Sequence, residues 1–274
     1  MTPLANIAEI LSHDFALRAL LAGLSVSLAA AVIGVVLVLK RYSMIGHGLA
    51  DVGFASSTLA LALGVSPVLL ATPVLVAASF AIMAVSQRRG VSGDVAIGIA
   101  STGALAAGII VAALSQGFNI DVYNFMFGSI LSVTAGEAQL AVVVSVLLLF
   151  LFILSYNRLF AVTFDEAFAA AGGIAVSRCQ LLISLMTALV VVIGMKMMGT
   201  LLISSLIIFP AVTARRLVVS FRALVLGAAA VSVLCFLVGL VGSFVLGLPT
   251  GASVVAANVL ALCIAEAVAR LSRQ

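Results

Sequence analysis

The sequence predicts an all-α polytopic membrane protein, folded as a compact bundle of about nine transmembrane helices. Of its 274 residues, 65% are hydrophobic and only 8% are charged. The mean hydropathy is +1.40, and apolar runs recur along the whole chain. Soluble domains carry about a quarter charged residues, so too few polar side chains are present here to cover a water-facing surface. We therefore expect residues 1–274 to form a single transmembrane domain, with no soluble domain attached.

The individual helices are predicted from the apolar runs, because a membrane span needs about 20 mostly apolar residues. In chain order, the predicted spans are 17–39, 43–63, 67–85, 95–114, 138–155, 181–195, 201–214, 223–246 and 253–268. The sixth and seventh are short. Joined across residues 196–199, they would alternatively form one long kinked helix or a re-entrant pair, which would reduce the count to eight. Pro210 removes a backbone donor and should kink the seventh span.

The orientation is predicted from the basic residues, since Lys and Arg are retained on the cytoplasmic side. If the loop with Arg88 and Arg89 is cytoplasmic, nine alternating spans place nine further basic residues on the same side. These are Lys40, Arg41, Arg158, Arg178, Arg215, Arg216, Arg222, Arg270 and Arg273. Only Arg18 and Lys196 fall outside. The N-terminus is therefore expected outside and the C-terminus in the cytoplasm. No basic cluster exceeds two residues, so no nucleic-acid partner is predicted.

Two segments differ from the apolar runs. Residues 117–134 on the outer side are semi-polar and too short to span, which favours a re-entrant or interfacial helix; Asp121 within them would contact a partner or be solvated. On the inner side, residues 160–176 contain Thr163, Glu166 three residues later, and then Gly172-Gly173. A capping box followed by a glycine stop predicts a short cytoplasmic helix, and we expect it to serve for docking.

His47 and Asp51 are the candidate transport residues, because ionisable groups inside a span are costly and by default mark a functional pathway. They are four residues apart in the second span, so they lie one turn apart on one helix face. An imidazole and a carboxylate on one face are suitable ligands for a divalent transition metal. The alternative is a buried His–Asp hydrogen bond that only joins two helices.

The other ionisable and sulfur-containing residues favour structural interpretations. Lys196 is interpreted as a lysine reaching to the membrane interface, and Glu266 as a partner of Arg270 one turn away. The three methionines Met195, Met197 and Met198 are interpreted as apolar packing.

No catalytic motif is present in the sequence. There is no phosphate loop of the GxxxxGK[ST] type, so the chain cannot hydrolyse ATP by that route. We therefore predict a transport subunit rather than an enzyme, with ATP hydrolysed by a partner. The alternative is an ion-coupled secondary transporter acting without an ATPase, which would predict more intramembrane carboxylates and broken-helix repeats.

Four stretches resemble the ABC-type permease family that imports zinc, manganese or ferrous iron. They are KRYSMIGHGLADVGFA (40–55), VTFDEAFAAAGGIAV (162–176), MGTLLISSLIIFPAVTAR (198–215) and LPTGAS (248–253). Residues 162–176 resemble the family's FDE-x-x-A-x-x-x-G stretch, and residues 198–215 are similar to its pattern that contains Pro-Ala. The four stretches occur in order at compatible spacing, and the resemblance covers nearly the whole chain.

The resemblance implies a homodimer of this permease in the lipid of a bacterial cytoplasmic membrane. Two ATP-binding cassette subunits would dock on the cytoplasmic side, an extracytoplasmic metal-binding protein would deliver Zn²⁺, Mn²⁺ or Fe²⁺, and no permanent cofactor is implied. His47 and Asp51 would form the metal gate of the translocation pathway. The coupling helix that docks on the ATPase would consist of Phe164, Asp165, Glu166, Ala167, Phe168, Ala169, Ala170 and Ala171.

The chain departs from the family at the gate. The family usually has Asp first and His four residues later, whereas here His47 precedes Asp51. The pair of ligand types is kept, but each ligand moves one helical turn along the pathway. The metal preference therefore cannot be carried over from the family.

Overall fold

The computed structural model describes residues 14–86, 93–115, 128 and 133–271, and in these ranges the regular structure is entirely helical. Its ten helices are α1 (Asp14–Leu39), α2 (Ile45–Ala62), α3 (Pro67–Ser86), α4 (Gly93–Leu114), α5 (Ala135–Phe164), α6 (Glu166–Ala171), α7 (Val176–Met198), α8 (Thr200–Leu217), α9 (Phe221–Leu246) and α10 (Thr250–Leu271). Most of the predicted outer segment 117–134, including Asp121, lies outside the described residues, as do Arg88, Arg89 and Arg273.

Each of the nine predicted spans corresponds to one long helix, and the prediction of an all-helical bundle is confirmed. Within the described ranges, eight helices are long and apolar enough to cross a membrane. The ninth long helix is α2, an 18-residue helix that carries both His47 and Asp51. Its polar residues, rather than its length, therefore set it apart from the other eight.

The sixth and seventh spans are two separate helices, α7 and α8, and both are longer than predicted. Gly199 ends α7 with φ 84° and ψ 163°, a backbone conformation that no helix continues through. Beyond it the chain folds back on itself. Gly194 of α7 then lies so close to Ile203 of α8 that a Cβ on Gly194 would overlap the Ile203 side chain. The single kinked helix is therefore excluded. Pro210 lies buried in α8.

Helices α1, α7 and α8 form the centre of the bundle, together with α2, most of which is also buried. Each of the first three has most of its span buried, and α1 packs against α5, α7, α8 and α9. At Gly34 the backbone of α1 approaches α8 so closely that a Cβ would overlap the carbonyl oxygen of Ile207. Small residues permit such close contacts between membrane helices. The peripheral α4, α5 and α10 expose large apolar side chains such as Ile99, Phe150 and Leu260, as a lipid-facing surface requires.

The predicted short helix between the fifth and sixth spans exists as α6, but its predicted cap was wrong. Thr163 lies in the last turn of α5 and donates its hydroxyl to the Leu159 carbonyl oxygen at 2.5 Å. The N-cap of α6 is Asp165, whose carboxylate accepts from the backbone N–H of Phe168 at 2.9 Å. Helix α5 extends beyond the apolar run that predicted it, so the N-cap of α6 is two residues later than the predicted Thr163. The glycine stop was predicted correctly, since Gly172 is the C-cap.

Candidate functional site

Helix α2 brings His47 and Asp51 to one face, as predicted from their spacing. Nε2 of His47 lies 3.8 Å from Oδ2 of Asp51, which is too long for a hydrogen bond. The His47 side chain is 53% exposed and that of Asp51 is 12% exposed. The two atoms are thus within ion-pair distance of each other but are not joined by a hydrogen bond. A His–Asp hydrogen bond that joins two helices is not the observed arrangement.

Glycines allow this polar helix to pack closely against its neighbours. A Cβ on Gly48 would come within 2.8 Å of Ile97 in α4, and one on Gly46 within 2.9 Å of Ile207 in α8. Both contacts are closer than real Cβ atoms make. The glycine-rich sequence around His47 therefore holds the helix between α4 and α8, with the His47 side chain left exposed.

Asp51 is positioned by a residue from another helix. The Ser101 hydroxyl of α4 donates a short hydrogen bond to Oδ2 of Asp51. Such a bond holds the carboxylate in one orientation. Sequence reasoning missed Ser101, and the only signal for it was the Ser101-Thr102 pair inside an otherwise apolar span.

The two residues open into a cavity of about 520 Å³. One wall is α2, with His47, Asp51, Met44 and Phe54. The other walls come mainly from α8 and are completed by single residues of α4 and α10, namely Thr200, Leu201, Ser204, Ser205, Ile208, Phe209, Leu105 and Val255. Six water molecules occupy about 180 Å³ in the liquid, so the cavity can hold a hydrated divalent cation. It combines a mostly apolar lining with a few polar groups on facing helices.

One chain supplies only part of a metal coordination shell at this position. Among the residues that the structure describes, no group of three or more His, Cys, Asp or Glu side chains could hold a metal ion. Zinc takes about four ligands, and harder divalent ions take about six. An ion bound at His47 and Asp51 would therefore need ligands from water, from hydroxyls or from a second copy of the chain.

The predicted coupling residues form the tip of the bundle at the end where α5 meets α7. Phe164 is the last residue of α5, Asp165 is the cap, and residues 166–171 are α6. Phe168 is 75% exposed, whereas Ala169 is buried. A short helix that buries one small residue and presents an aromatic side chain outward is suited to docking.

A buried lysine joins this tip to the helix that precedes the site. Nζ of Lys40, just after α1, lies 2.5 Å from Oε1 of Glu166 and donates to the Val162 carbonyl oxygen at 3.3 Å. Gln180 of α7 donates to the other Glu166 oxygen at 3.3 Å. Helix α6 is thus bound to both α1 and α7, and the turn containing Lys40 leads directly into α2.

The remaining predicted residues have structural partners. Glu266 accepts from Arg270 at 3.3 Å, as predicted, and also pairs with Arg216 at 3.1 Å. The methionine cluster is buried packing, as predicted. Lys196 has a partner that the sequence did not indicate, because its Nζ lies 2.7 Å from Oε1 of Glu137. Glu137 belongs to a capping box with Thr134 that opens α5, which the T-x-x-E pattern at 134–137 would have indicated.

Comparisons with known proteins agree on the type of protein. The model of the ABC 3 transport family matches residues 12–269. The chain is 29% identical to the manganese transport system membrane protein MntC of Halalkalibacterium halodurans, over 90% of this chain and 85% of the relative. It is 27% identical to the high-affinity zinc uptake system membrane protein ZnuB of Haemophilus influenzae, over 86% of this chain and 91% of the relative.

Solved structures share the fold. PsaBC from Streptococcus pneumoniae, determined in complex with Fab, aligns with a TM-score of 0.84 at 25% identity, over 96% of this chain and 95% of that chain. A second solved ABC transporter, in an inward-facing conformation, aligns with a TM-score of 0.70 at 17% identity, over 91% of this chain and 85% of that chain, and shows the fold alone.

Proposed function

The chain belongs to the ABC 3 transport family, and on that premise we propose that it is the permease subunit of an importer for Zn²⁺, Mn²⁺ or Fe²⁺. Its relatives are described as membrane proteins of manganese and zinc transport systems. It is accordingly a multi-pass membrane transport subunit and not an enzyme. On this proposal residues 1–274 form one permease domain, and ATP is hydrolysed by a separate subunit.

The observation that carries the proposal is the His47–Asp51 pair facing the cavity. Borderline divalent metals accept imidazole nitrogen and carboxylate oxygen together. Both atoms reach one space large enough for the hydrated ion, and Asp51 is held in place by Ser101. A cation can exchange part of its water shell for these ligands and regain that water when it leaves. A transport site requires this reversible exchange, whereas a permanent metal site does not.

A homodimer would complete the coordination shell. One chain offers two ligands, so two copies related by a two-fold axis would offer four, with a His47 and an Asp51 from each. Four mixed nitrogen and oxygen ligands satisfy zinc, and added water satisfies manganese or iron. The metal pathway would then lie between the two copies, along the open side of the cavity.

The two ends of the bundle would contact different partners. Helix α6 and the exposed Phe168 would dock on an ATP-binding cassette subunit in the cytoplasm. The end with Gly199 and the Lys196–Glu137 pair would face the extracytoplasmic metal-binding protein. Basic residues at the α6 end, Lys40 and Arg216 among them, support this orientation.

Metal uptake in whole cells tests the proposal. Cells that lack their own zinc and manganese importers would express the chain with an ATPase and a binding protein from the same organism, and would be supplied with Zn²⁺, Mn²⁺ and Fe²⁺ separately. We expect uptake of at least one ion, and a loss of about tenfold or more in His47→Ala and Asp51→Ala, since even groups that only orient metal ligands contribute about that much.

The matched control is Ser57→Ala. Ser57 is a buried polar residue of the same helix that does not line the cavity, so uptake should be unchanged. No uptake of any of the three ions by an assembled wild-type complex would refute the assignment of the cargo. Full uptake in both the His47 and the Asp51 variants would refute the assignment of the site.

A further inference from the structure

We infer that the hydroxyl of Ser205 on α8 is an additional contact for the transported cation, and that it helps to set which metal is preferred. The inference rests on the proposed function, because it adds a residue to the same pathway. Ser205 lines the cavity that contains His47 and Asp51, and it comes from a different helix. It would therefore meet the ion from a second side.

The hydroxyl of Ser205 is buried without a hydrogen-bond partner. The residue is 5% exposed, and its Oγ has no partner in the part of the chain that the structure describes. Hydroxyls in helices ordinarily donate to a carbonyl oxygen three or four residues earlier. The adjacent Ser204 does so, reaching the Leu201 carbonyl at 3.0 Å, and Thr58 reaches that of Phe54 at 2.9 Å.

An unpartnered buried hydroxyl is costly, so its position is informative. Four buried side-chain oxygens lack a partner among the described residues: the hydroxyls of Ser184, Ser205 and Thr213, and Oδ1 of Asn258. Of these, Ser205 is the one that lines the His47–Asp51 cavity. Rotation of the Ser205 side chain toward the cavity that it lines would remove this cost, because a cation or a water of its shell would then give the oxygen the partner that the protein does not supply.

The chemistry of a hydroxyl fits an oxygen-binding divalent ion. A serine oxygen is a neutral, hard donor that suits manganese better than it suits softer metals. Together with the Asp51 carboxylate it would offset the preference of the His47 imidazole for zinc. The hydroxyl would thus act on selectivity as well as on affinity.

The test compares Ser205→Ala with Ser184→Ala in the whole complex. Both variants remove a buried, unpartnered hydroxyl, so both should leave the thermal unfolding temperature unchanged or slightly raised. Only Ser205→Ala should raise the metal concentration that gives half-maximal uptake, by about tenfold, which is the size of one hydrogen bond to a charged group. A purely structural role for Ser205 would move stability and leave this concentration unchanged.

A second variant, Ser205→Cys, tests selectivity. Sulfur is softer than oxygen, so the ratio of Zn²⁺ to Mn²⁺ uptake should rise relative to the wild type. The inference is overturned if Ser205→Ala matches Ser184→Ala in half-saturation, or if Ser205→Cys leaves the ratio unchanged. A wild-type complex that imports none of the three ions would instead refute the proposed function, so the two failures are distinguishable.

Discussion

The ion pair between Lys40 and Glu166 should respond asymmetrically to removal of its two charges. The Lys40 side chain is only 5% exposed, whereas that of Glu166 is 48% exposed. Glu166→Gln would leave the buried Lys40 ammonium without a counter-charge, with only uncharged carbonyl oxygens beside it. Lys40→Met would leave a carboxylate that water can solvate and that Gln180 still contacts at 3.3 Å.

The magnitudes follow from this difference in burial. Removing one partner of a fully buried pair costs about 3–5 kcal/mol, and half exposure of the glutamate reduces that figure, so we expect Glu166→Gln to cost about 2 kcal/mol. An exposed pair contributes about 0–1 kcal/mol, and Met keeps the apolar stem of Lys40. We therefore expect Lys40→Met to cost about 1 kcal/mol or less.

Hydrogen exchange of the α6 backbone amides, together with thermal unfolding of the purified complex, would measure both effects. Glu166→Gln should lower protection of residues 166–171 more than Lys40→Met does. The double variant should resemble Lys40→Met rather than the sum of the two, because residues in direct contact are not additive. The reasoning would be refuted if Lys40→Met were equally or more destabilising.

Two further predictions concern helix α6 and the packing of the central helices. Asp165→Ala removes the N-cap of α6, which contributes about 1 kcal/mol to the stability of the helix, and should weaken co-purification of the ATPase. Thr163→Val changes a residue that does not cap α6 and should leave co-purification intact. Equal losses of co-purification in the two variants would contradict the assignment of Asp165 as the cap. Gly34→Ala should lower the unfolding temperature of the purified protein, since its Cβ would overlap the backbone of Ile207, whereas Gly103→Ala has open space around it and should be neutral or stabilising. Tolerance of alanine at Gly34 would contradict the close approach of α1 and α8.

The helices and one half of the site were predictable because their signals are local. An apolar run of the right length predicts a span wherever it occurs, and nine such runs were found. The spacing of His47 and Asp51 placed them on one face, and the spacing of Glu266 and Arg270 predicted their pairing. Each of these inferences uses only the geometry of a single helix.

The other half of the site was not predictable because its contacts join distant parts of the chain. Ser101 binds Asp51 from fifty residues away, and Lys40 binds Glu166 across an even larger separation. No periodicity in one helix contains such a pairing. The prediction that Thr163 caps the short helix was wrong for a different reason. Thr163 and Glu166 have the spacing of a capping box, but the preceding helix α5 continues to Phe164 and includes Thr163. Ser205 could be recognised only once the partners of every neighbouring hydroxyl were known.

The modest apolarity of α2 has a consequence for how the chain is made. An aspartate at the centre of a span opposes entry from the translocon into lipid by about 2.5–3.5 kcal/mol, and α2 is the long helix that falls short of the apolarity of the other eight. We expect it to enter the bilayer with help from neighbouring segments during translation. Its most extensive neighbour is α4, which also supplies Ser101. A nascent chain cut short before α4 would therefore leave α2 poorly inserted, and the transport route would be assembled only after its flanking helices have been synthesised.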